Sequence, residues 1–180
     1  MPKTFKDKVI ISDTTCLIAF RDINRLDILK NTFDEIEITP DVKKEYEDKG
    51  NVLPNWFKIK APNDKEWVNK LRNKYGAGES QSIVLAKEEE TEGNDVLLII
   101  DDRRARNKAI DMGIHVIRTM AVVDRARRKS LLTFDEAENT IRNMVTNNLR
   151  VTKEAMEDFI KGMKIDNEKR KIKKIKSNEQ

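Results

Sequence analysis

Unbroken apolar runs and stretches of helical period take turns along this chain. Residues 9–11 (VII) and 96–100 (VLLII) are apolar without alternation. The first run ends in Ser12-Asp13-Thr14-Thr15 and the second in Asp101-Asp102. Runs of this kind predict strands buried on both faces, the habit of parallel sheets. Residues 35–39 (EIEIT) alternate and predict a second short strand, and 114–117 a further one. Elsewhere apolar positions recur at helical spacing. One helical stretch is expected to carry Leu17, Ile18, Leu26, Ile28 and Leu29, capped by Thr14 or Thr15. Thr39-Pro40 supplies a cap and then proline at the first helical position, opening a helix that ends near Gly50. Further helices are predicted over 67–75, 79–90, 103–112, 119–129, 134–147 and 152–163, punctuated by Gly76-Ala77-Gly78, Gly93-Asn94 and Gly113. Strands alternating with helices give an α/β class, a parallel sheet with helices on both faces.

Length and charge refine this picture. A chain of 180 residues and 21.0 kDa suits one α/β domain with a sizeable core, expected over 1–164. The last segment, 165–180, carries six Lys/Arg against three Asp/Glu, so it holds most of the formal net charge of +4. It reads as a basic tail, either a solvated extension of the last helix or an arm that touches phosphates or a partner. The body is then nearly neutral, and a nucleic-acid site on it must be local. No apolar stretch approaches the ~20 residues of a membrane span. A single cysteine, Cys16, excludes a disulfide framework and a cysteine-rich zinc site. The opening MPKTFK lacks an apolar signal core, so a cytoplasmic protein is expected.

Acids fall where chemistry is expected. Open parallel sheets bind ligands beyond the carboxyl ends of their strands, and Asp13 and Asp101-Asp102 end two strands there. Glu45 lies three residues beyond Val42 and beside Tyr46, on the inward side of its helix, and Glu79 follows the Gly-Ala-Gly hinge. Each acid has an ordinary alternative. Asp13 and the Asp pair could cap helices, Glu79 could answer a helix dipole, and Glu45 could pair with Lys49. Together, carboxylates at one edge repel each other unless a cation neutralises them. Oxygen ligands without histidine or cysteine favour Mg²⁺ or Mn²⁺ over zinc, a site able to activate water and clamp a phosphodiester.

Four segments carry a resemblance. VIISDTTCLIAF with RLDILK resembles the opening of PIN-domain proteins, ITPDVKKE their second acidic motif, GAGESQSIVLA the third and LLIIDDRRARNKA the fourth. Order and spacing are most similar to the branch related to Vap-type toxins of toxin–antitoxin systems, over about residues 8–160. The resemblance implies a Rossmann-like, three-layer α/β/α PIN-like fold with a parallel central sheet. It implies a Mg²⁺- or Mn²⁺-dependent endoribonuclease cleaving single-stranded RNA, the toxin of a toxin–antitoxin pair. Asp13, Glu45, Glu79 and Asp102 are then the catalytic acids, and Asp13, Glu79, Asp102 and Asp101 the metal ligands. Thr14, Arg103, Arg104 and Arg106 are expected to meet RNA, with salt bridges on a solvated face as the alternative for the arginines and a structural role as a further one for Arg106. Neighbouring strand positions point oppositely. Asp102 is therefore favoured over Asp101, because Ala105 and Ala109 then fall where the fourth-motif helix packs. A cognate antitoxin and a second copy of the chain are the implied partners. Apolar residues around 17–29 and 134–144, more than one sheet face needs, also favour a homodimer.

The chain departs from the family pattern where glycines are usual, with Arg118-Thr119-Met120-Ala121 after the fifth strand and Ser130 further on. Other readings fit less well. A haloacid-dehalogenase-type phosphatase needs an acid at Thr15, and a response-regulator receiver fits neither the order nor the lysines. Cys16 has no base beside it, and His115 reads as structural. The rival from another class is a catalytically inactive PIN-fold module that binds RNA or protein.

Overall fold

Five short strands pair in parallel: β1 (Lys8–Ser12), β2 (Ile36–Ile38), β3 (Phe57–Ile59), β4 (Asp95–Ile99) and β5 (Val116–Ile117). Their order across the sheet is β3-β2-β1-β4-β5. The computed structural model describes residues 8–48 and 50–178; Lys49, the alternative partner of Glu45, and the opening segment lie outside them. The order reverses between β1 and β4, whose ladder runs from Lys8 opposite Asp95 to Ser12 opposite Ile99. A topological switch point lies there, and the sheet opens a crevice beyond the strands' carboxyl ends.

Alternate residues of the two central strands serve different layers. Ile10, Leu97 and Ile99 join the core shared with α1 (Thr14–Asp22), α2 (Leu26–Phe33), α3 (Pro40–Glu47), α7 (Thr119–Arg128), α8 (Phe134–Thr146) and α9 (Lys153–Asn178). Ile11, Val96 and Leu98 face α4 (Lys65–Arg72), α5 (Ala77–Thr91) and α6 (Arg103–Asp111). The three-layer α/β/α arrangement read from the sequence is the one observed. Each fully buried Ile or Leu contributes roughly 1.5–3 kcal/mol, so these five-residue strands anchor the sheet without alternation.

Several local expectations change. The helix expected over Leu17 to Leu29 is two helices, broken where Asn24 turns to φ 54°. Asp13, not Thr14 or Thr15, caps α1, its carboxylate accepting the Cys16 N–H at 3.2 Å. The third strand, β3, has no counterpart in the sequence reading. The apolar residues of α1, α2 and α8 are buried in the chain's own core, because α8 and α9 add a further layer over that face. Ile18, Leu26 and Phe134 among them are only partly buried. The last helix runs unbroken from Lys153 to Asn178, across the expected 164/165 boundary. The buried Arg127 guanidinium holds it there, donating to Asp166 at 2.7 Å and Asn167 at 3.0 Å. Beyond that clamp Ile172 and Ile175 are exposed.

Five helices end alike, with the N–H after a left-handed residue reaching back five residues. Arg25 bonds Phe20, Asn94 bonds Glu89, Ile114 bonds Ala109, Leu131 bonds Ala126 and Leu149 bonds Met144. The left-handed positions are Asn24, Gly93, Gly113, Ser130 and Asn148. Ser130 stands at φ 60°, a conformation that favours glycine. A non-glycine residue in this region costs about 1–2 kcal/mol. Ser130→Gly is therefore expected to stabilise the protein by about 1 kcal/mol, roughly 2–4 °C in Tm. Urea titration checks this; an unchanged or lower midpoint contradicts it.

Candidate active site

The switch point gathers carboxylates from four elements. Asp13 follows β1, and its N–H extends the ladder to the Ile99 carbonyl at 3.0 Å. Its two oxygens accept N–H groups from Cys16 at 3.2 Å and Asp101 at 3.2 Å, so the carboxylate is pinned across the β1/β4 crevice. Asp13 is 1% exposed and forms the floor of the site. Burial pushes its carboxyl well above the usual carboxylate range, and the neighbouring Asp101 and Glu79 charges push the same way.

Glu45 reaches in from α3. One oxygen accepts the Gly78 N–H at 2.9 Å and the other the Thr14 hydroxyl. A Cβ at Gly78 would lie 2.8 Å from the Glu45 carboxylate and push it from this place. A Cβ at Gly76 would likewise strike the Glu79 carboxylate. The Gly-Ala-Gly segment is thus a cradle shaped to two carboxylates, and α5 begins in it at Ala77 rather than at Glu79. Burial raises the Glu79 carboxyl, helped by Glu45 and Asp102.

The two aspartates after β4 diverge. Asp101 turns to the floor, where its oxygens accept the Thr119 N–H at 3.2 Å and the Thr119 hydroxyl, with Arg118 Nε at 3.6 Å. Asp102 caps α6 through one oxygen, on the Ala105 N–H at 2.8 Å, and is exposed on the side toward Glu79. Arg118 and Thr119, where the chain departs from the pattern it resembles, therefore serve Asp101, a role not visible in the sequence. Among the described residues no three His, Cys, Asp or Glu side chains are drawn close enough to hold an ion as they stand.

The basic residues divide. Arg106 donates to the Asp101 carbonyl at 2.8 Å and Arg103 stands beside it, whereas Arg104 lies over the Tyr75 ring, 6.0 Å from its centroid. Thr14 spends its hydroxyl on Glu45. His115 lies among Lys8, Asp95 and Arg125 at the opposite, amino end of the strands. Cys16 is buried, and burial with the Asp101 and Asp13 charges holds its thiol well above the usual range, which leaves it inert.

Two grooves flank the acids. One, of about 660 Å³, runs past Glu45, Ile18, Arg21 and Asn147; the other, of about 400 Å³, runs past Asp101, Asp102, Arg103 and Arg118. Thr15, Glu79, Leu149 and Arg150 border both. The arrangement offers oxygen donors to a hard cation and positive side chains to a polyanion at its edge.

A carboxyl raised by burial binds its proton more tightly in the folded state, so its contribution to stability is full at low pH and is lost as pH rises through the raised value. Protein stripped with EDTA is therefore expected to gain Tm as pH falls from neutrality toward the ordinary carboxylate range. Asp13→Asn keeps a capping oxygen and removes one charge. It is expected to raise the metal-free Tm at neutral pH and flatten that pH dependence, whereas Asp13→Ala loses the cap and lowers Tm. A calorimetric pH series on the three proteins decides it.

A family model for the PIN domain matches residues 9–164. No curated protein and no solved structure gives a significant match. The match spans every strand from Val9 onward and every acid at the switch point. The chain belongs to the PIN-domain family, a family of nuclease type whose members generally use divalent metals.

Proposed function

We propose that this protein is an endoribonuclease that cleaves single-stranded RNA with Mg²⁺ or Mn²⁺. The observation that carries the reading is the convergence of Asp13, Glu45, Glu79, Asp101 and Asp102 on the β1/β4 switch point of a PIN fold. The residues present suit a divalent cation. All donors are oxygens, Gly76 and Gly78 leave room for two of the carboxylates, and the buried Asp13 and half-buried Glu79 carry like charge that a cation relieves. Asp13, Glu79 and Asp102 would hold the ion, with Glu45 oriented by Thr14 and Gly78. When bound, the ion supplies positive charge to the attacked phosphate and acidifies water.

The side chains divide the remaining work. Thr14 and the Gly78 N–H fix the Glu45 carboxylate, and Thr119 with Arg118 fixes Asp101. Both Asp101 oxygens accept a hydrogen bond from Thr119, whereas one Asp102 oxygen accepts none and the side chain is exposed, which favours Asp102 as the ligand of the pair. Arg103 and Arg106 border the acids where a phosphate approaches, and their charge offsets its repulsion by the carboxylates. A toxin role with a cognate antitoxin, homodimerisation and a cytoplasmic location belong to the same proposal, supported by resemblance to the Vap-related branch. No helix among the described residues is long and apolar enough to cross a membrane.

A second reading, an inactive PIN-fold module that binds RNA or protein, is favoured by the occluded Asp13 carboxylate and by the acids' spacing without an ion. Cleavage separates the two. Purified protein is expected to cut single-stranded RNA with Mn²⁺ or Mg²⁺ and to stop with EDTA. Asp13→Asn is expected to abolish cleavage with the fold intact, and Asp102→Asn to cost more than Asp101→Asn. Activity that survives both EDTA and Asp13→Asn overturns the assignment.

A further inference from the structure

Arg150 stands out among the described residues for what it borders and what it lacks. It sits in the connection between α8 and α9, which is fixed at both sides. Asn148 adopts φ 79°, Leu149 is buried and donates to the Met144 carbonyl at 2.9 Å, and Val151 donates to Leu149 at 2.8 Å. The side chain is exposed and makes no hydrogen bond or ion pair, in a chain where most arginines are paired. Four residues border both grooves beside the acids, and Arg150 is the one cation among them.

The grooves differ in charge. The larger carries Asp22, Glu45, Asp48 and Glu79 against Arg21 and Arg150. The smaller carries Glu79, Asp101 and Asp102 against Arg103, Arg106, Arg118 and Arg150. Two of its four arginines are already engaged, Arg106 by the Asp101 carbonyl and Arg118 by the Asp101 carboxylate. Arg103 and Arg150, from α6 and from the α8–α9 connection, remain with all their donors unspent. A strand that presents one phosphate to the acids must leave its neighbour in one groove or the other. Coulomb attraction selects the smaller.

From this we infer that Arg150 is a positioning residue for the RNA backbone. With Arg103 it grips the phosphate next to the scissile one, in the smaller groove, and so sets the path of the strand across the acids. The inference rests on the endoribonuclease reading above. Its ligand is the phosphodiester backbone of a single strand, so the grip is indifferent to base sequence.

The test uses fluorescein-labelled oligouridine, with binding followed by anisotropy in Mg²⁺ on an Asp13→Asn background and cleavage followed on the otherwise wild-type protein. Arg150→Ala is expected to weaken binding about tenfold and to reduce the slope of log K against log salt by about 0.7, one phosphate on a single strand. In cleavage KM is expected to rise about tenfold with kcat within about threefold, since the scissile group is untouched. Arg150→Lys keeps the charge and should recover part of the binding, and an unchanged Tm for both variants excludes a folding effect. Unaltered affinity and salt slope for Arg150→Ala, with the parent protein binding and cutting RNA, overturns this inference and spares the nuclease reading. A parent protein that neither binds nor cuts overturns both.

Discussion

Ser12 lies opposite Ile99 in the β1–β4 ladder, and the Asp13 N–H carries that ladder one step further to the Ile99 carbonyl. The Asp13 carboxylate then crosses the same gap to accept the Asp101 N–H. The parallel pairing of these two strands thus forces two acids together in a dry crevice, against their mutual repulsion. Apolar side chains on both faces of β1 and β4 hold the pairing. The cost shows in the Asp13 carboxyl, raised by its burial and by the Asp101 charge. A fold that keeps like charges at such a distance stores a preference for positive charge, which is what a phosphodiesterase centre exploits.

Around that crevice the chain arranges partners so that each acid is aimed. Thr14 and Gly78 hold Glu45, Thr119 and Arg118 hold Asp101, and the start of α6 holds Asp102. Thr119 and Arg118 stand where the chain departs from the pattern it resembles. The departure alters the support of one acid and leaves the set of acids intact. At Ser130 the other departure leaves the turn itself unchanged, since the backbone takes the left-handed form without glycine. The first change reaches the floor of the crevice through Asp101, and the second lies away from it.

The basic residues follow a different logic. Arg104 is drawn to Tyr75 and Arg127 to Asp124 and Asp166, where they tie elements together. Arg127 clamps the last helix just past the expected domain boundary, so the basic tail begins as part of the body and departs from it only later. Arginine count alone therefore says little about polyanion binding here; what matters is which guanidinium groups the fold leaves unspent.

Much of this was legible in the sequence because it is local. Unbroken apolar runs such as VLLII reveal buried strands, Thr39-Pro40 reveals a helix start, and Gly93 and Gly113 reveal helix ends. The acids at 13, 45, 79 and 101–102 stand out because each follows such a signal. Other features depend on contacts distant in sequence. The three residues of β3 are too few for a period and become a strand only by pairing with β2. The break at Asn24 is a backbone choice that its neighbours do not announce. That Asp101 turns down to Thr119 while Asp102 stays exposed depends on α7 docking 18 residues further on. Arg150 acquires meaning only because the α8–α9 connection is folded back over the crevice. The sequence by itself determined most of the elements in their order and singled out the acids as candidates, since period, caps and turns act over a few residues. Tertiary structure alone decided which oxygens and which guanidinium groups remain free, since that depends on every partner packed against them.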